Sequence, residues 1–273
     1  VRLPLSAPLS LNAGCCVNAT LIEQLRLDES MWTEEHRNWT DADYGSLKDG
    51  SAFPKEFMWG VATASHQIEG GNTNNWSAFE PNSKSQQLSG DACDHWNRRD
   101  EDINLIKNLG VSYYRFSIEW SRIEPEQGHW NDDALQWYSD LVDGLLQQGI
   151  QPMATLHHFT QPLWWDEMGG FEKESNIIHW VEFCCKVFEL LSDRVDWWCT
   201  INEPAVYATM GYVLGEFPPG VRSFKRTRMV SLNLMRAHAQ CYRKLKEMKN
   251  GQRCQIGLVK NINLFDPYRR WNP

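Results

Sequence analysis

The segment WWCTINEP, residues 197–204, joins an apolar run to a carboxylate and contains the first candidate for chemistry in this sequence. The apolar run is typical of a buried strand, and Asn202 and Glu203 stand where that strand would end. A carboxyl group that donates a proton near neutral pH needs apolar neighbours, since desolvation disfavours its ionised form. Trp197 and Trp198 could provide that surrounding. By this pattern alone Glu203 is either a solvated loop carboxylate or a group that transfers a proton, and in the second case another acidic group would be needed beside it.

Other polar side chains lie in or just after strand-like runs. Runs predicted as strands cover residues 57–65, 111–120, 151–158, 196–204 and 254–261. Gln67 follows the first run, Arg115 lies within the second, and His158 ends the third. Taken singly, each has an ordinary structural explanation, such as a buried ion pair for Arg115 or a hydrogen-bonded core histidine for His158. The positions of Gln67 and His158 at strand ends favour a functional role.

Helical patterns separate the strand-like runs. DDALQWYSDLVDGLLQQG, for example, has acidic residues in its first turn, an apolar face and a closing glycine. Strands that alternate with helices predict parallel strands with right-handed crossovers. A doubly wound sheet and a (β/α)8 barrel both satisfy this pattern. The first strand-like run is not followed by G-x-G-x-x-G, and polar groups close several different strands, so the barrel is favoured.

The length of the chain predicts only part of such a barrel. At about 50 residues per unit, eight units would need about 450 residues, whereas the sequence has 273. We expect an α/β fold that is a partial (β/α)8 TIM barrel, with about five of the eight βα units present. Residues 51–273 are assigned to the barrel, and residues 1–50, which lack such periodicity, to an irregular N-terminal extension.

The composition limits the partners. The formal charge of −8 disfavours nucleic acids and anionic membranes, which need clustered Lys and Arg. No apolar run approaches the roughly 18 residues of a membrane span. The first residues are interrupted by Pro4 and Pro8 and match a signal peptide poorly, which favours the cytoplasm without settling the compartment. The oligomeric state is left open.

Four segments resemble, in their order and spacing, the signatures of glycoside hydrolase family 1, the β-glucosidase family. They are FPKEFMWGVATASHQIEGG (53–71), YYRFSIEWSRIEPEQG (113–128), TLHHFTQPLWW (155–165) and TINEP (200–204). The resemblance extends from Phe53 to Pro273. It implies a retaining β-glycosidase on a (β/α)8 barrel that acts on a small-molecule β-glycoside or oligosaccharide, with no metal and no organic cofactor.

The resemblance also implies a role for each matching residue. Glu203 would be the general acid/base, and Asn202 would bind the sugar 2-hydroxyl. Gln67 and His158 would hold the 3- and 4-hydroxyls of the sugar being cleaved. Arg115 would lie beside the nucleophilic carboxylate and keep that group ionised. Glu69, Glu119, Asp166 and Glu167 are interpreted as supporting or surface groups.

The sequence departs from the family pattern near the site. The family often has Trp-Asp after the second histidine, whereas this chain has Phe159 and Thr160, and the stretch that usually reads Ser-Ile-Trp-Asp is SAFE at 77–80. These differences concern substrate preference. A larger difference is that residues 1–273 contain no Thr-Glu-Asn-Gly motif, which supplies the nucleophile on strand seven in the family.

Two interpretations follow from the missing motif. In the first, the sequence is the N-terminal part of a retaining β-glycosidase, and these 273 residues alone are expected to show little or no turnover. In the second, the protein is a non-catalytic relative, a glycan-binding or receptor-like module that keeps half of the sugar subsite.

Overall fold

The computed structural model describes residues 57–262, so the predicted extension at 1–50 lies outside the described residues. The described part contains one sheet of five strands that are all parallel. They are β1 (Gly60–Ala62), β2 (Tyr113–Ser117), β3 (Gln151–His157), β4 (Trp197–Asn202) and β5 (Gln255–Val259). Each strand lies inside one of the five predicted runs, so the strand prediction is confirmed.

The order of the strands distinguishes between the two α/β architectures. The strands are hydrogen-bonded in the sequence order β1-β2-β3-β4-β5. A doubly wound sheet would reverse its direction at a switch point, whereas a barrel always adds the next strand on the same side. The five strands are therefore part of a (β/α)8 barrel, as predicted. Because the strands are parallel, their C-terminal ends meet at one edge.

Nine α-helices lie between or beside these strands within residues 57–262. They are α1 (Ser65–Ile68), α2 (Asn75–Phe79), α3 (His95–Asn108), α4 (Trp120–Ile123), α5 (Asp132–Gln147), α6 (Leu163–Glu167), α7 (Ile177–Leu191), α8 (Pro204–Thr209) and α9 (Phe224–Glu247). A π-helical turn, Met210–Leu214, continues α8. No helix in this part of the chain is both long and apolar enough to cross a membrane.

Helix α5 shows how local sequence fixes an element. The Asn131 side chain accepts a hydrogen bond from the Ala134 N–H at 3.1 Å, which caps the first turn. Asp132 and Asp133 add negative charge at the positive end of the helix dipole. The chain then leaves the helix through Gly149, whose φ of 76° is in the left-handed region. The predicted apolar face, which includes Tyr138, is buried as expected.

Helix α9 carries two sets of residues at helical spacing, and only one of them is buried. Leu232, Met235 and Tyr242 recur at helical spacing, but they are exposed in the structure. The buried face instead contains Val230, Asn233, Leu234, Ala237, Cys241 and Leu245. Both sets have helical periodicity, so periodicity alone could not decide which one faces the sheet. The contacts in the folded chain therefore decide which of the two sets is buried.

Two neighbouring leucines test this assignment. We expect Leu234→Ala, in a side chain with no solvent exposure, to lower the free energy of unfolding by about 2–5 kcal/mol through cavity formation. Leu232→Ala is the matched control, because this side chain is 49% exposed and its truncation should change stability by less than about 0.5 kcal/mol. Urea denaturation measures both. Equal losses would contradict the orientation of α9.

Candidate active site

Arg115 joins the C-terminal halves of three consecutive strands. Its Nε donates a hydrogen bond to Thr155 Oγ1 at 2.9 Å, and its Nη2 donates to Asn202 Oδ1. Arg115 lies on β2, Thr155 on β3 and Asn202 on β4. Its neighbours Tyr114 and Phe116 are buried in the apolar core. Because side chains alternate along a strand, Arg115 points to the opposite face, the interior of the barrel.

A register shift turns Asn202 toward this arginine. The register between β4 and β5 is irregular between Cys199 and Asn202. The Thr200 hydroxyl lies 2.8 Å from His238 Nδ1 on helix α9, so Thr200 faces the helical layer. In a regular strand Asn202 would face the same way, whereas here it meets Arg115. Irregularities of this kind re-aim side chains at the rims of barrels.

Glu203 follows β4 in a backbone conformation that is uncommon for a residue with a side chain. Its φ of 42° and ψ of 61° are left-handed, a region in which non-glycine residues are strained and which is enriched at functional sites. Its N–H donates to the carbonyl of Val259 at 2.8 Å. Its Oε1 accepts a hydrogen bond from Asn261 Nδ2 at 3.3 Å. This turn places a half-buried carboxyl at the rim, next to Asn202.

His158 lies at the end of β3 beside the same arginine. Desolvation, with smaller contributions from the positive charge of Arg115 and from His157, lowers the pKa of His158 to about 3. The imidazole is therefore neutral near pH 7. Its Nδ1 is buried and has no hydrogen-bond partner in the described part of the chain. The next residue, Phe159, also has a left-handed φ, at 71°.

Gln67 approaches the site from the other side. It lies on α1, the short helix that follows β1, and it is exposed. Within residues 57–262 its side chain makes no hydrogen bond, so its amide is open to a ligand. Arg115 is thus hydrogen-bonded to Asn202, which precedes Glu203 in the chain, and its charge acts on His158. Gln67 lies on the βα loop of the strand next to β2.

Comparisons with known proteins identify the family of this chain. Residues 50–273 match the model of the family described as Glycosyl hydrolase family 1. The chain belongs to this family. It is 40% identical over 226 residues to β-glucosidase A of Thermotoga maritima, an alignment that covers 79% of this chain and 50% of that protein. Human lactase/phlorizin hydrolase is 38% identical over 203 residues, which cover 70% of this chain and 10% of that protein.

Solved structures of family 1 proteins show the same fold. A β-glycosidase from Pyrococcus horikoshii matches with a TM-score of 0.74 and 44% identity, over 80% of this chain and 51% of that one. The Thermotoga maritima β-glucosidase in complex with castanospermine matches with a TM-score of 0.76 and 38% identity, over 80% and 52% of the two chains. This family 1 chain therefore spans about half the length of these relatives.

Three tryptophans, Trp120, Trp165 and Trp198, are core residues. Trp198 packs against Phe188 of α7 with ring centroids 4.8 Å apart, and its indole N–H donates to the Val195 carbonyl at 3.0 Å. It belongs to the helix-facing core at the start of β4, so the expectation that it desolvates Glu203 is wrong. Trp120 and Trp165, which also follow strands, are buried in the same apolar core.

Two residues of the site were missed in the sequence. Thr155 accepts the Arg115 hydrogen bond, and Asn261 donates to Glu203. Asn261 follows β5 just as Glu203 follows β4, so the rule that polar residues at strand ends form the site would have found it. Thr155 gives no such signal, because a threonine inside a strand is ordinary. No group of three or more His, Cys, Asp or Glu within 57–262 could hold a metal ion.

The pKa of His158 predicts how stability depends on pH. The folded value of about 3 lies below the unfolded value of about 6.5, so below pH 6.5 the unfolded chain binds the proton more readily. The contribution of His158 is therefore present above pH 6.5 and is lost as the pH falls toward 3. We expect His158→Gln to lose less stability than wild type between pH 6.5 and 4, measured by urea denaturation.

His129→Gln is the control for this comparison, because His129 is exposed on a loop. It should follow the wild-type pH profile. A His158→Gln profile parallel to that of wild type would contradict the burial of a neutral imidazole at this position.

Proposed function

We propose that this chain provides the acid/base half of a retaining β-glycosidase site and binds the sugar residue of a β-glucoside. The observation that carries the proposal is the position of Glu203. Its carboxyl stands at the C-terminal end of a barrel strand, in a left-handed turn, next to the Arg115–Asn202 hydrogen bond. Catalytic groups of (β/α)8 enzymes occupy this end of the barrel.

In this proposal the carboxyl of Glu203 acts on the glycosidic oxygen. It donates a proton as the bond between the sugar and the leaving group breaks, and it later removes a proton from the attacking water. The Asn261 amide, which donates to Glu203 Oε1 at 3.3 Å, orients the carboxyl. The exchange of roles requires a carboxyl that remains in contact with water, and Glu203 is half-buried.

The neighbouring side chains are proposed to bind the sugar. Asn202 is oriented by Arg115 and would meet the 2-hydroxyl. The neutral ring of His158 and the amide of Gln67 would hold the 3- and 4-hydroxyls. Each of these groups can form hydrogen bonds without carrying a charge, which suits an uncharged polyol. Proteins titled as β-glucosidases in complex with castanospermine and deoxynojirimycin have this fold.

A retaining mechanism also needs a nucleophilic carboxylate about 5 Å from the acid/base. We infer that the nucleophile is not among residues 1–273, because the family motif that would carry it does not occur in them. The side of Arg115 that faces the barrel interior is the proposed place for that carboxylate, since a guanidinium favours the ionised form of a neighbouring carboxyl.

An added nucleophile tests whether Glu203 acts as the general acid in a chain that lacks the nucleophilic carboxylate. We expect that the 273-residue chain does not cleave an aryl β-glucoside whose phenol is a poor leaving group. Azide should restore slow cleavage: azide bonds to the anomeric carbon, the bond to the phenol oxygen breaks, and Glu203 protonates that oxygen. The product is the α-glucosyl azide. Glu203→Gln should slow this reaction by about 10²–10⁴-fold, the usual range for a lost general acid.

Glu167→Gln is the matched control, since Glu167 is an exposed carboxylate on α6 and its loss should leave the azide reaction unchanged. Equal rates for wild type and Glu203→Gln would refute the acid/base assignment. Tight binding of a β-glucoside with no azide-dependent cleavage would favour the alternative, a non-catalytic glycan-binding relative.

A further inference from the structure

The carboxyl group of Glu119, a residue that follows β2, does not reach solvent. Three hydroxyl groups donate to it. Ser65 Oγ and Thr160 Oγ1 each lie 3.0 Å from Oε2, and Ser121 Oγ lies 2.8 Å from Oε1. A carboxyl with no solvent exposure needs such donors, because an unpaired buried charge is very costly. Since Glu119 is covered, it cannot touch a sugar directly.

The two donors on Oε2 belong to the two elements that carry the proposed sugar contacts. Ser65 begins α1, which also contains Gln67. Thr160 lies two residues after His158, in the loop that follows β3. One carboxylate oxygen therefore connects the Gln67 helix with the His158 loop. Ser117 adds to this contact, since its hydroxyl accepts from the Ser65 N–H at 2.7 Å.

The other end of α1 is held through the same network. Glu69 follows the helix, and it accepts hydrogen bonds from Tyr138 Oη at 2.5 Å and from Arg122 Nε at 3.0 Å. Tyr138 Oη in turn accepts the N–H of Glu119 at 2.8 Å. Burial, and then the nearby Glu119, raise the pKa of Glu69 to about 8, which reflects how closely the two carboxyls are enclosed.

These contacts explain how so short a helix can position a ligand-binding residue. A helix of four residues has no stability of its own, because nucleation is unfavourable and isolated helices need about 12–15 residues. The Gln67 side chain makes no hydrogen bond within residues 57–262 that could hold it. Its place is therefore set by what holds α1, which includes the contacts of Ser65 and Glu69 and the hydrogen bond between His66 Nε2 and Glu80 Oε1 at 2.8 Å.

We propose that Glu119 is a positioning residue that sets the distance between Gln67 and His158, and so the fit of the sugar 3- and 4-hydroxyls. The proposal rests on the proposed function of this site. It also accounts for Thr160, where the family often has Asp. An ionised Asp has only acceptors and could not donate to Glu119, whereas the threonine hydroxyl can.

Crossed effects on two NMR signals test this link without any sugar. Thr160→Val removes one donor from Glu119, on the loop of His158, and should shift or broaden the side-chain amide signal of Gln67. Ser65→Ala removes the other donor and should shift the ring signals of His158. Ser121→Ala is the matched control, because Ser121 donates to the same carboxyl from α4, which carries neither contact residue.

The expected result is a crossed effect in both variants and none in Ser121→Ala. The proposal would be overturned if Thr160→Val left the Gln67 signal unchanged and Ser65→Ala left the His158 signals unchanged. Thr160→Val and Ser65→Ala each change little of the volume of the buried cluster. The result therefore does not depend on whether a variant of Glu119 itself folds.

Affinity for an iminosugar then relates the link to binding. Titration calorimetry of the 273-residue chain with deoxynojirimycin should show roughly tenfold weaker binding for Glu119→Ala, because a lost hydrogen bond to a charged group is of that size. Glu119→Gln, which keeps an oxygen acceptor, should bind within about threefold of wild type. Unchanged affinity in Glu119→Ala at full folding would overturn the positioning role.

The two proposals fail in different ways. If wild type binds no deoxynojirimycin, or if Gln67→Ala and His158→Ala bind it as wild type does, the proposed function fails. The crossed NMR effects would still show whether Glu119 couples the two elements. If Gln67→Ala and His158→Ala weaken the binding of deoxynojirimycin but Glu119→Ala binds it as tightly as wild type, the proposed function stands and the role of Glu119 is refuted.

Discussion

The arrangement of this site depends on one arginine inside a parallel barrel wall. Arg115 reaches from β2 to Thr155 on β3 and to Asn202 on β4. A guanidinium is always charged and offers donors in a fixed planar fork, so it both requires acceptors and fixes their directions. Its contacts hold the ends of three strands in register at the edge where the candidate groups gather. Its charge also contributes to keeping the neighbouring His158 neutral.

A second group of polar residues belongs to the loops and helices that follow the strands. Glu119, Tyr138 and Glu69 are all buried, and their hydrogen bonds join α1, α5 and the loop after β3. Buried polar networks of this kind are stable only when their members are satisfied, and they then specify one arrangement. The strands thus fix Arg115, Asn202 and the backbone of Glu203. The positions of Gln67 and His158 depend instead on the buried carboxyl groups of Glu119 and Glu69.

Two of the six non-glycine residues with a positive φ within residues 57–262 lie just beyond strands. Glu203 and Phe159 both have left-handed backbones directly beyond β4 and β3. Such conformations persist only where the surroundings over-determine them. For Glu203 the surroundings include its N–H bond to Val259, the proline that begins α8 and the asparagine at 261. The backbone conformation therefore sets the direction of the Glu203 side chain, and little conformational entropy is lost when a ligand binds.

The sequence by itself determined the elements of this protein and its family. The alternation of apolar runs and helical patterns predicted all five strands, and the four ordered segments around Gln67, Arg115, His158 and Glu203 indicated family 1, to which the chain belongs. These features are local in the chain, since strand period, helix caps and short motifs depend on residues a few positions apart.

Only the tertiary structure decided which faces meet. It buried Leu234 rather than Leu232 on α9, moved Trp198 into the helix-facing core, and brought Asn261 to Glu203. It also turned Asn202 inward through a register shift and enclosed Glu119 and Glu69, which the sequence left as supporting or surface groups. Several of these outcomes depend on contacts between residues more than 40 positions apart, such as Glu119 with Thr160. Periodicity within a single element carries no information about such partners.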